Sequence, residues 1–549
     1  MLKDFIEDKI RISLSDKSKS KFFELDISKL VLSIPNNPDH GDFSTNFALI
    51  NAKALKLNPF ELAREISALL DNEDSDLFER VTVEKPGFIN FKISKKIYHD
   101  FLAEVLIKGE NFGSFPLNGK KILIEFVSAN PTGLLHLGHL RNAAVGDSIA
   151  RILKFSGYSV TTEYYINDYG NQIKLLGESL KSRVMQKLKI ESKIPEEGYK
   201  GEYLLDVAEL LLSEVKSDDL LSKDYEFFSN YAIKYLINEI DKDLKDLDIN
   251  FDSWYSERDR IHNTDLLSKT RNLIKSVQGL YEKDDAQWIK TSEYGDNDDW
   301  VIKKRDNAST YFMNDIAYHH DKFQRGFDNI VNIWGADHHS HISRLKASMN
   351  LLSNDSHKLN FVLIQFVRLI KDGRDVSMSK RSGTYTTIRD MLSEFNKDLV
   401  RFMMVSRSSD SHFDFDLDKC REGSDDNPIF YIQYASARIN SILNKDEVVK
   451  FTESQVDLSL LIEDKEINII KKILNFPDII LDASNSMSPH KLAFYLQELS
   501  ALFHSYYRET KILVDERELS GARLFLLKSL KTVFTNGLTL LGVSSPERM

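Results

Sequence analysis

Two histidines three residues apart, His136 and His139, enclose Leu137-Gly138 where a turn-rich run gives way to a helical one. Imidazoles at the entrance of a helix sit where unpaired backbone N–H groups and the positive end of the helix dipole attract phosphate. There they add donors to phosphate oxygens as charge builds up in a transition state. A His-x-Gly-His by itself reads equally well as a satisfied loop pair. A second set of residues lies in Lys371 to Gly383, KDGRDVSMSKRSG, where Gly373 and Gly383 flank Ser377, Met378, Ser379, Lys380 and Arg381. A small, basic, hydroxyl-rich loop suits a lid over triphosphate, with Lys380 and Arg381 offsetting charge on a leaving pyrophosphate. Alone it is a solvated basic turn; paired with the upstream histidines it reads as the other half of a phosphate site. A third cluster, His338, His339 and His341, suggests metal ligands, but no H-E-x-x-H or carboxylate-spaced partner accompanies it, and zinc is not expected.

These residues need elements to hold them. The apolar run Ile122 to Val127 predicts a buried strand. Ser128 to Gly133 follows as a turn with Asn130-Pro131 as breaker. From Gly138 a helix is expected, with Ala144, Val145, Ile149, Ile152 and Leu153 on its apolar face. A second strand, Val160 to Ile166, ends in NDYGNQ (Asn167 to Gln172), polar residues of the kind that gather where open α/β sheets bind ligands. Ile173 to Ile249 is long, charged and helical, without a chemically legible pattern, and reads as an insertion. Thr310 to Phe323, the strand-like runs Asn329 to Arg344 and Phe361 to Ile370, and the basic loop complete the domain. Strands alternating with helices at this spacing predict a Rossmann-like, doubly wound parallel sheet.

Four blocks are expected in a multidomain α/β chain. Residues 1–95 form a small α+β domain. It has an amphipathic helix through Leu2, Phe5, Ile6, Ile10 and Ile12, and helices after Asn46 and Asn58. Strand-like alternation around Pro86-Gly87 closes it. Residues 96–120 are a helix and connector, 121–426 the sheet domain with insertions, and 427–549 an all-α helix bundle. In the bundle Leu492, Tyr495, Leu496, Leu499, Leu502, Phe503 and Tyr506 recur at three- and four-residue steps, as do Leu524, Leu527, Leu530, Val533 and Phe534. Its aromatics are mostly core, with Tyr431, Tyr434 and Tyr507 as candidates to stack on unpaired bases.

The chain has 549 residues, 42% hydrophobic and 29% charged, which suits several globular domains. A net charge of -11 argues against nonspecific nucleic-acid binding but allows a local basic face. The single Cys420 excludes an intramolecular disulfide and a multi-Cys zinc site. No window reaches the roughly 18 apolar residues of a membrane helix, and the N-terminus lacks the apolar core of a signal peptide. A cytoplasmic location is expected.

Taken together, HLGH and SMSKR resemble the HIGH and KMSKS signatures of class I aminoacyl-tRNA synthetases. The HIGH region is Ala129, Asn130, Pro131, Thr132, Gly133, Leu134, Leu135, His136, Leu137, Gly138 and His139. The resemblance narrows to the arginyl-tRNA synthetase family through SANPTGLLHLGHLRNAAVGD, EYYINDYGNQ, the TYxxxDIAYH of Thr310 to His319, WGADHH and the C-terminal LLGVSSPERM. It implies a ligase that makes arginyl-adenylate from L-arginine and ATP with Mg²⁺, then loads the 3′ end of tRNA(Arg). It implies no tightly bound protein metal, no membrane and a monomer. It implies that Glu125, Asn130, Tyr311 and Asp315 hold arginine. It also implies that His136, Gly138, His139, Gly335, Asp337, His338, Met378, Ser379, Lys380 and Arg381 hold ATP, with His136, His139 and Lys380 as the catalytic group.

The chemistry fits, because a carboxylate pairs bidentately with a planar guanidinium and a second acid favours arginine over neutral amino acids. Three departures stand out: Ser377 replaces the first KMSKS lysine, Asn314 replaces an arginine, and Asn307-Ala308 replaces Asp-Gly. Two alternatives are a class I synthetase for another amino acid and a non-catalytic tRNA-binding paralogue. The first would want zinc thiolates, an editing insertion or a basic pocket. The second would normally have lost the histidines or Lys380.

Overall fold

The computed structural model describes residues 2–15, 25–73, 76–375, 386–421, 427–445 and 456–549. At the N-terminus α1 (Leu2–Ser15) buries Leu2, Ile6, Ile10 and Leu14, one face at four-residue steps. Ile12, expected on that face, lies off it and is 65% exposed. A three-stranded antiparallel sheet joins β1 (Phe43–Thr45), β2 (Phe78–Glu84) and β3 (Phe88–Ile93), with β3 central. Beside it lie α2 (Phe47–Leu55) and α3 (Pro59–Glu73). Asn58 caps α3 as expected, its Oδ1 accepting from Phe60 N at 3.0 Å. Helix α4 (Lys95–Lys108) then docks on the C-terminal bundle, where His99 Nε2 lies 3.0 Å from the Leu461 carbonyl.

Five parallel strands form the central sheet: β4 (Lys121–Glu125), β5 (Ser159–Ile166), β6 (Ser253–Ser256), β10 (Asn329–Gly335) and β11 (Leu359–Ile364). Their order is β11-β10-β4-β5-β6, so the chain winds outward from β4 on one side and returns to build the other. That reversal between β4 and β10 is the topological switch point where such sheets open a crevice at their carboxyl ends. Helix α5 (Leu137–Phe155) crosses β4 closely: a Cβ on Gly146 would stand 2.4 Å from the Phe126 ring.

The expected insertion is a helical layer with its own core. It contains α6 (Asn171–Lys187), α7 (Tyr203–Glu214), α8 (Ser217–Leu221) and α9 (Tyr225–Asp246), packed through Leu176, Leu180, Leu204, Leu211, Phe228 and Leu236. After β6 and α10 (Leu266–Ser276) comes an antiparallel sheet of β7 (Leu280–Lys283), β8 (Ala286–Ile289) and β9 (Trp300–Lys303). Neither β6 nor this sheet shows in the hydrophobic pattern, because each strand has only four residues.

Helix α11 (Tyr311–Gln324) precedes β10, and the strand-like reading of Asn329 to Arg344 holds only as far as Gly335, since α12 (His341–Leu351) follows. Phe361 to Ile370 is likewise not one strand. It breaks after β11, and β12 (Val367–Lys371) pairs instead with β13 (Arg374–Asp375) and β14 (Phe413–Asp416). Helices α13 (Ile388–Glu394), α14 (Lys397–Val405) and α15 (Leu417–Arg421) surround that small sheet.

The C-terminal region is helical throughout its described residues: α16 (Pro428–Leu443), α17 (Asp464–Leu474), α18 (Phe476–Asn485), α19 (His490–Glu509) and α20 (Arg517–Leu540). The expected face of α19 is buried, with Leu492, Tyr495, Leu496, Leu499, Phe503 and Tyr506 inside and Leu502 partly covered. One apolar cluster runs from the N-terminal block through the central sheet into this bundle. Buried Arg401 on α14 locks α5 to it, pairing with Asp147 at 2.5 Å and donating to the Leu247 carbonyl at 2.6 Å and the Leu541 carbonyl at 3.2 Å. The helix that carries the histidine pair therefore has a fixed axis.

Candidate active site

The strand expected to reach Val127 stops at Glu125, because Val127 and Ser128 take positive φ values of 65° and 41°. A left-handed valine is costly and persists only where its surroundings over-determine it. Here Asn142 Oδ1 accepts from Val127 N at 2.7 Å, and Tyr164 donates its hydroxyl to the Ala129 carbonyl at 2.9 Å. Ser128 Oγ accepts from Tyr165 N at 3.1 Å and donates to Glu125 Oε1 at 2.9 Å. The kink turns the chain from the end of β4 towards the histidines.

At the entry to α5 both imidazoles serve their own helix. His136 Nδ1 accepts from Gly138 N at 3.1 Å, and His139 Nδ1 accepts from His136 N at 3.2 Å, a reciprocal cap. The rings stack with centroids 3.8 Å apart. Because each Nδ1 accepts, the neutral tautomer of each ring carries its proton on Nε2, where it is a donor. Across from them, Leu137 N donates to the Thr386 carbonyl at 3.3 Å and Ile388 N to the Leu135 carbonyl at 3.0 Å. The residues just after the basic loop are thus bonded to the histidine loop. Ser377, Met378, Ser379, Lys380 and Arg381 themselves lie outside the described residues.

On the neighbouring strand Gly335 ends β10, and a Cβ there would stand 2.5 Å from Asp337 Oδ1. Asp337 and His338 are exposed and 3.8 Å apart, with His338 beside the Trp334 ring. Because β4 and β10 run parallel with Glu125 opposite Asn332, these residues and the histidines open on the same edge of the sheet.

The residues expected to hold the amino acid lie on β4, the turn after it and helix α11. Helix α11 starts at a Thr310 cap and places Tyr311, Asp315 and Lys322 along one side. Lys322, fully buried, pairs with Glu125 Oε2 at 2.5 Å and donates to Asn332 Oδ1 at 2.7 Å. So Glu125 already has a cation, a role for Lys322 that helix periodicity does not reveal. Asp315 has no ion pair among the described residues. Burial, then the charges of Glu257 and Glu125, push its carboxyl up to about 7, against the pull of Arg344 and Lys322. Arg344 lies instead on the Trp300 and Phe312 rings, 4.4 and 5.1 Å from their centroids.

Glu257 is the acid that sequence reasoning missed. It follows the short strand β6 in a stretch with no recognisable pattern, is 2% exposed, and accepts from Asn314 Nδ2 at 2.7 Å. The charges of Glu257, Asp315 and Glu125 all bear on Tyr165, whose hydroxyl is held far above its ordinary range by burial and by those acids. Asn314 and Lys322, on the same helix as Asp315, hold Glu257 and Glu125 in turn. Asn130 donates to Gln172 Oε1 at 2.9 Å at the mouth of this region, and Tyr311 is 63% exposed. A cavity of about 430 Å³ lined by Asn130, Thr132, Gln172, Tyr199, Tyr203 and Tyr311 leads outward beneath the helical insertion.

Acids gathered around one helix suit a cation. A ligand with a guanidinium at one end and a carboxylate at the other would meet the acids with the first and present the second towards the histidine donors.

Known proteins share this architecture. The model of the arginyl tRNA synthetase N terminal domain matches residues 4–93, that of the class I (R) tRNA synthetase catalytic domain residues 101–420, and that of the DALR anticodon binding domain residues 432–549. An arginine–tRNA ligase of Syntrophotalea carbinolica is 42% identical over 530 residues, 95% of each chain. One of Desulforamulus reducens is 39% identical over 97% of this chain and 96% of its own. Among solved structures, a putative arginyl-tRNA synthetase of Campylobacter jejuni superposes with a TM-score of 0.77 at 33% identity, covering 83% of this chain and all of its own. The Thermus thermophilus arginyl-tRNA synthetase shares the fold over the full length of both chains, with a TM-score of 0.78 at 22% identity.

Proposed function

The chain belongs to the arginyl-tRNA synthetases and is an arginine–tRNA ligase; from that premise we propose how its residues divide the reaction. The observation that carries the division is that α11 holds two further acids beside its own Asp315, Asn314 donating to Glu257 and Lys322 pairing with Glu125, next to the histidine-capped helix. Asp315 and Glu257 take the guanidinium, with Tyr311 closing over it. Glu125, paired with Lys322, and Asn130 orient the other end of arginine. His136 and His139 offer Nε2 donors to the phosphates, and Gly335, Asp337 and His338 receive the adenosine side. Met378, Ser379, Lys380 and Arg381 complete the ATP site.

In the first step the arginine carboxylate attacks the α-phosphorus in line and pyrophosphate leaves. In the second the terminal 2′-hydroxyl of tRNA(Arg) attacks the activated carbonyl and AMP leaves. Neither step calls on a protein nucleophile; positioning and charge stabilisation suffice. Magnesium bound with ATP would supply charge neutralisation on the triphosphate. Its ligands are proposed to be phosphate oxygens.

The same reading assigns residues 1–95 and 427–549 to tRNA, with 96–120 as connector and 121–426 as the catalytic domain. In the C-terminal bundle Tyr431 lies 4.2 Å from His504 and Arg438 lies over the Tyr434 and Tyr507 rings at 5.0 and 4.6 Å. This half-buried aromatic and cationic patch suits unpaired anticodon bases. A monomer acting in the cytoplasm, with tRNA required before arginine is activated, completes the proposal. No helix among the described residues is long and apolar enough to cross a membrane.

Amino-acid-dependent ATP–pyrophosphate exchange over all twenty amino acids, with and without tRNA(Arg), tests it. Exchange with arginine alone, and only when tRNA is present, is expected. Exchange with another amino acid would overturn the pocket assignment.

A further inference from the structure

The carboxylate of Glu257 is held in an unusual way. The chain leaves β6 through a five-residue π-turn, Arg258–His262, a geometry often found at functional sites. Asp168 pins its start: Oδ1 accepts from Arg258 N at 2.8 Å, Oδ2 accepts from Ser256 Oγ at 2.6 Å, and its carbonyl accepts from Arg258 Nη2 at 2.8 Å. The turn brings His262 back onto Glu257, Nε2 to Oε1 at 3.1 Å. Asn314 Nδ2 donates to the same oxygen at 2.7 Å and lies 3.4 Å from the imidazole nitrogen. On its other side His262 is covered by Tyr169, ring on ring at 3.5 Å and 15°. Tyr169 is 47% exposed, so one face braces the histidine and the other meets solvent.

We propose that His262 is a positioning residue for arginine selection, fixing the Glu257 carboxylate between itself and Asn314 so that the second oxygen is aimed at the guanidinium. The inference rests on the assignment of Glu257 to the arginine pocket. The spacing supports it: His262 and Asn314 both meet Oε1, the Tyr165 hydroxyl hydrogen-bonds the same carboxylate, and a bidentate guanidinium requires the carboxylate in one orientation. Asn314 meets Oε1 from one side, and the imidazole stacked on Tyr169 meets the same oxygen from another. Displacing a charged group by about 1 Å can cost on the order of 100-fold, and an acid acts on a cation far more than on a neutral isostere. His262 therefore bears on affinity for arginine and on rejection of citrulline, in which a urea replaces the guanidinium. ATP, at the far end, is not affected.

The test uses the full-length protein with tRNA(Arg) in ATP–pyrophosphate exchange, with citrulline measured as an inhibitor. For His262→Leu the KM for arginine is expected to rise at least tenfold. The KM for ATP stays within twofold, and the Ki of citrulline is unchanged, so discrimination falls by the same factor. His262→Gln, which keeps a donor, restores most of the loss. Tyr169→Leu, a change at a largely exposed side chain, produces a smaller rise and serves if His262→Leu does not fold. Arginine KM values within twofold of the parent in His262→Leu, or in Tyr169→Leu where that variant stands in, overturn the inference, as does a parallel rise for arginine and citrulline. Glu257→Gln separates the two levels. If it leaves the arginine KM unchanged the pocket assignment itself fails; if it raises KM while the His262 and Tyr169 variants do not, only the positioning role is lost.

Discussion

At the proposed amino-acid end of the crevice the carboxylates of Glu125, Glu257 and Asp315 are set by a strand end, the start of a π-turn and a helix face, and two of them are already bonded to buried partners. At the proposed ATP end two half-buried histidines cap their helix, Asp337 and His338 are exposed, and among the described residues Thr386 and Ile388, just after the basic loop, bond to the histidine loop. The contrast follows from what each end must do. Choosing a guanidinium needs negative charge in a low dielectric, where each misplaced or unpaired group is expensive. Handling a triphosphate needs donors that meet charge as it forms and let product go.

The largest expected effect lies at the buried end. Asp315→Asn removes the unpaired carboxylate, and kcat/KM for arginine should fall at least 1000-fold, comparable with the roughly 10⁴-fold losses seen when a buried polar partner goes missing. The KM for ATP should stay within a few-fold. Steady-state exchange kinetics with tRNA present check this, and an unchanged arginine KM would move selectivity elsewhere.

Next comes the ATP end. His139→Ala and Lys380→Ala should each lower kcat by about 100- to 1000-fold, the usual loss for one well-placed donor, with the KM for arginine nearly unchanged. A variant in which KM for arginine rises instead would blur the division between the ends.

A smaller and reversible effect is expected from pH. Asp315 carries its proton below about 7 in the free pocket, whereas a bound guanidinium needs the carboxylate. The KM for arginine should therefore fall about tenfold per unit as pH rises from 5 towards 7 and level off above. Stability of the ligand-free fold moves the other way. A carboxyl raised above its ordinary 3.8 binds its proton more tightly when folded, so stability declines as pH rises from about 4 to 7 and then stays flat. Asp315→Asn should remove both slopes. The smallest change belongs to the exposed pair Arg368–Asp414 near the small sheet: Arg368→Ala should cost under about 1 kcal/mol in thermal unfolding.

The two ends were also unequally legible. The helix entrance with its histidines, the parallel sheet and the apolar face of α19 follow from periodicity and turn residues, which are local signals. The switch-point crevice is implied by strand alternation. Glu257 and Lys322 were not legible, because what defines each is a partner far along the chain, Asn314 for one and Glu125 for the other. The left-handed Val127 was hidden for a similar reason: nothing in an apolar run announces the Asn142 side chain that bends it. Phe361 to Ile370 reads as one strand, since hydrophobicity does not show that the chain changes sheets after Ile364.

Selection of arginine by the charges of Asp315 and Glu257 is measured most directly by comparing arginine with citrulline, nearly equal in size, in tRNA-dependent ATP–pyrophosphate exchange. With the pocket intact, kcat/KM for arginine should exceed that for citrulline by at least 1000-fold, and Asp315→Asn should shrink the ratio by two orders of magnitude or more. A ratio within tenfold in the parent protein, or one that Asp315→Asn leaves unmoved, would contradict it.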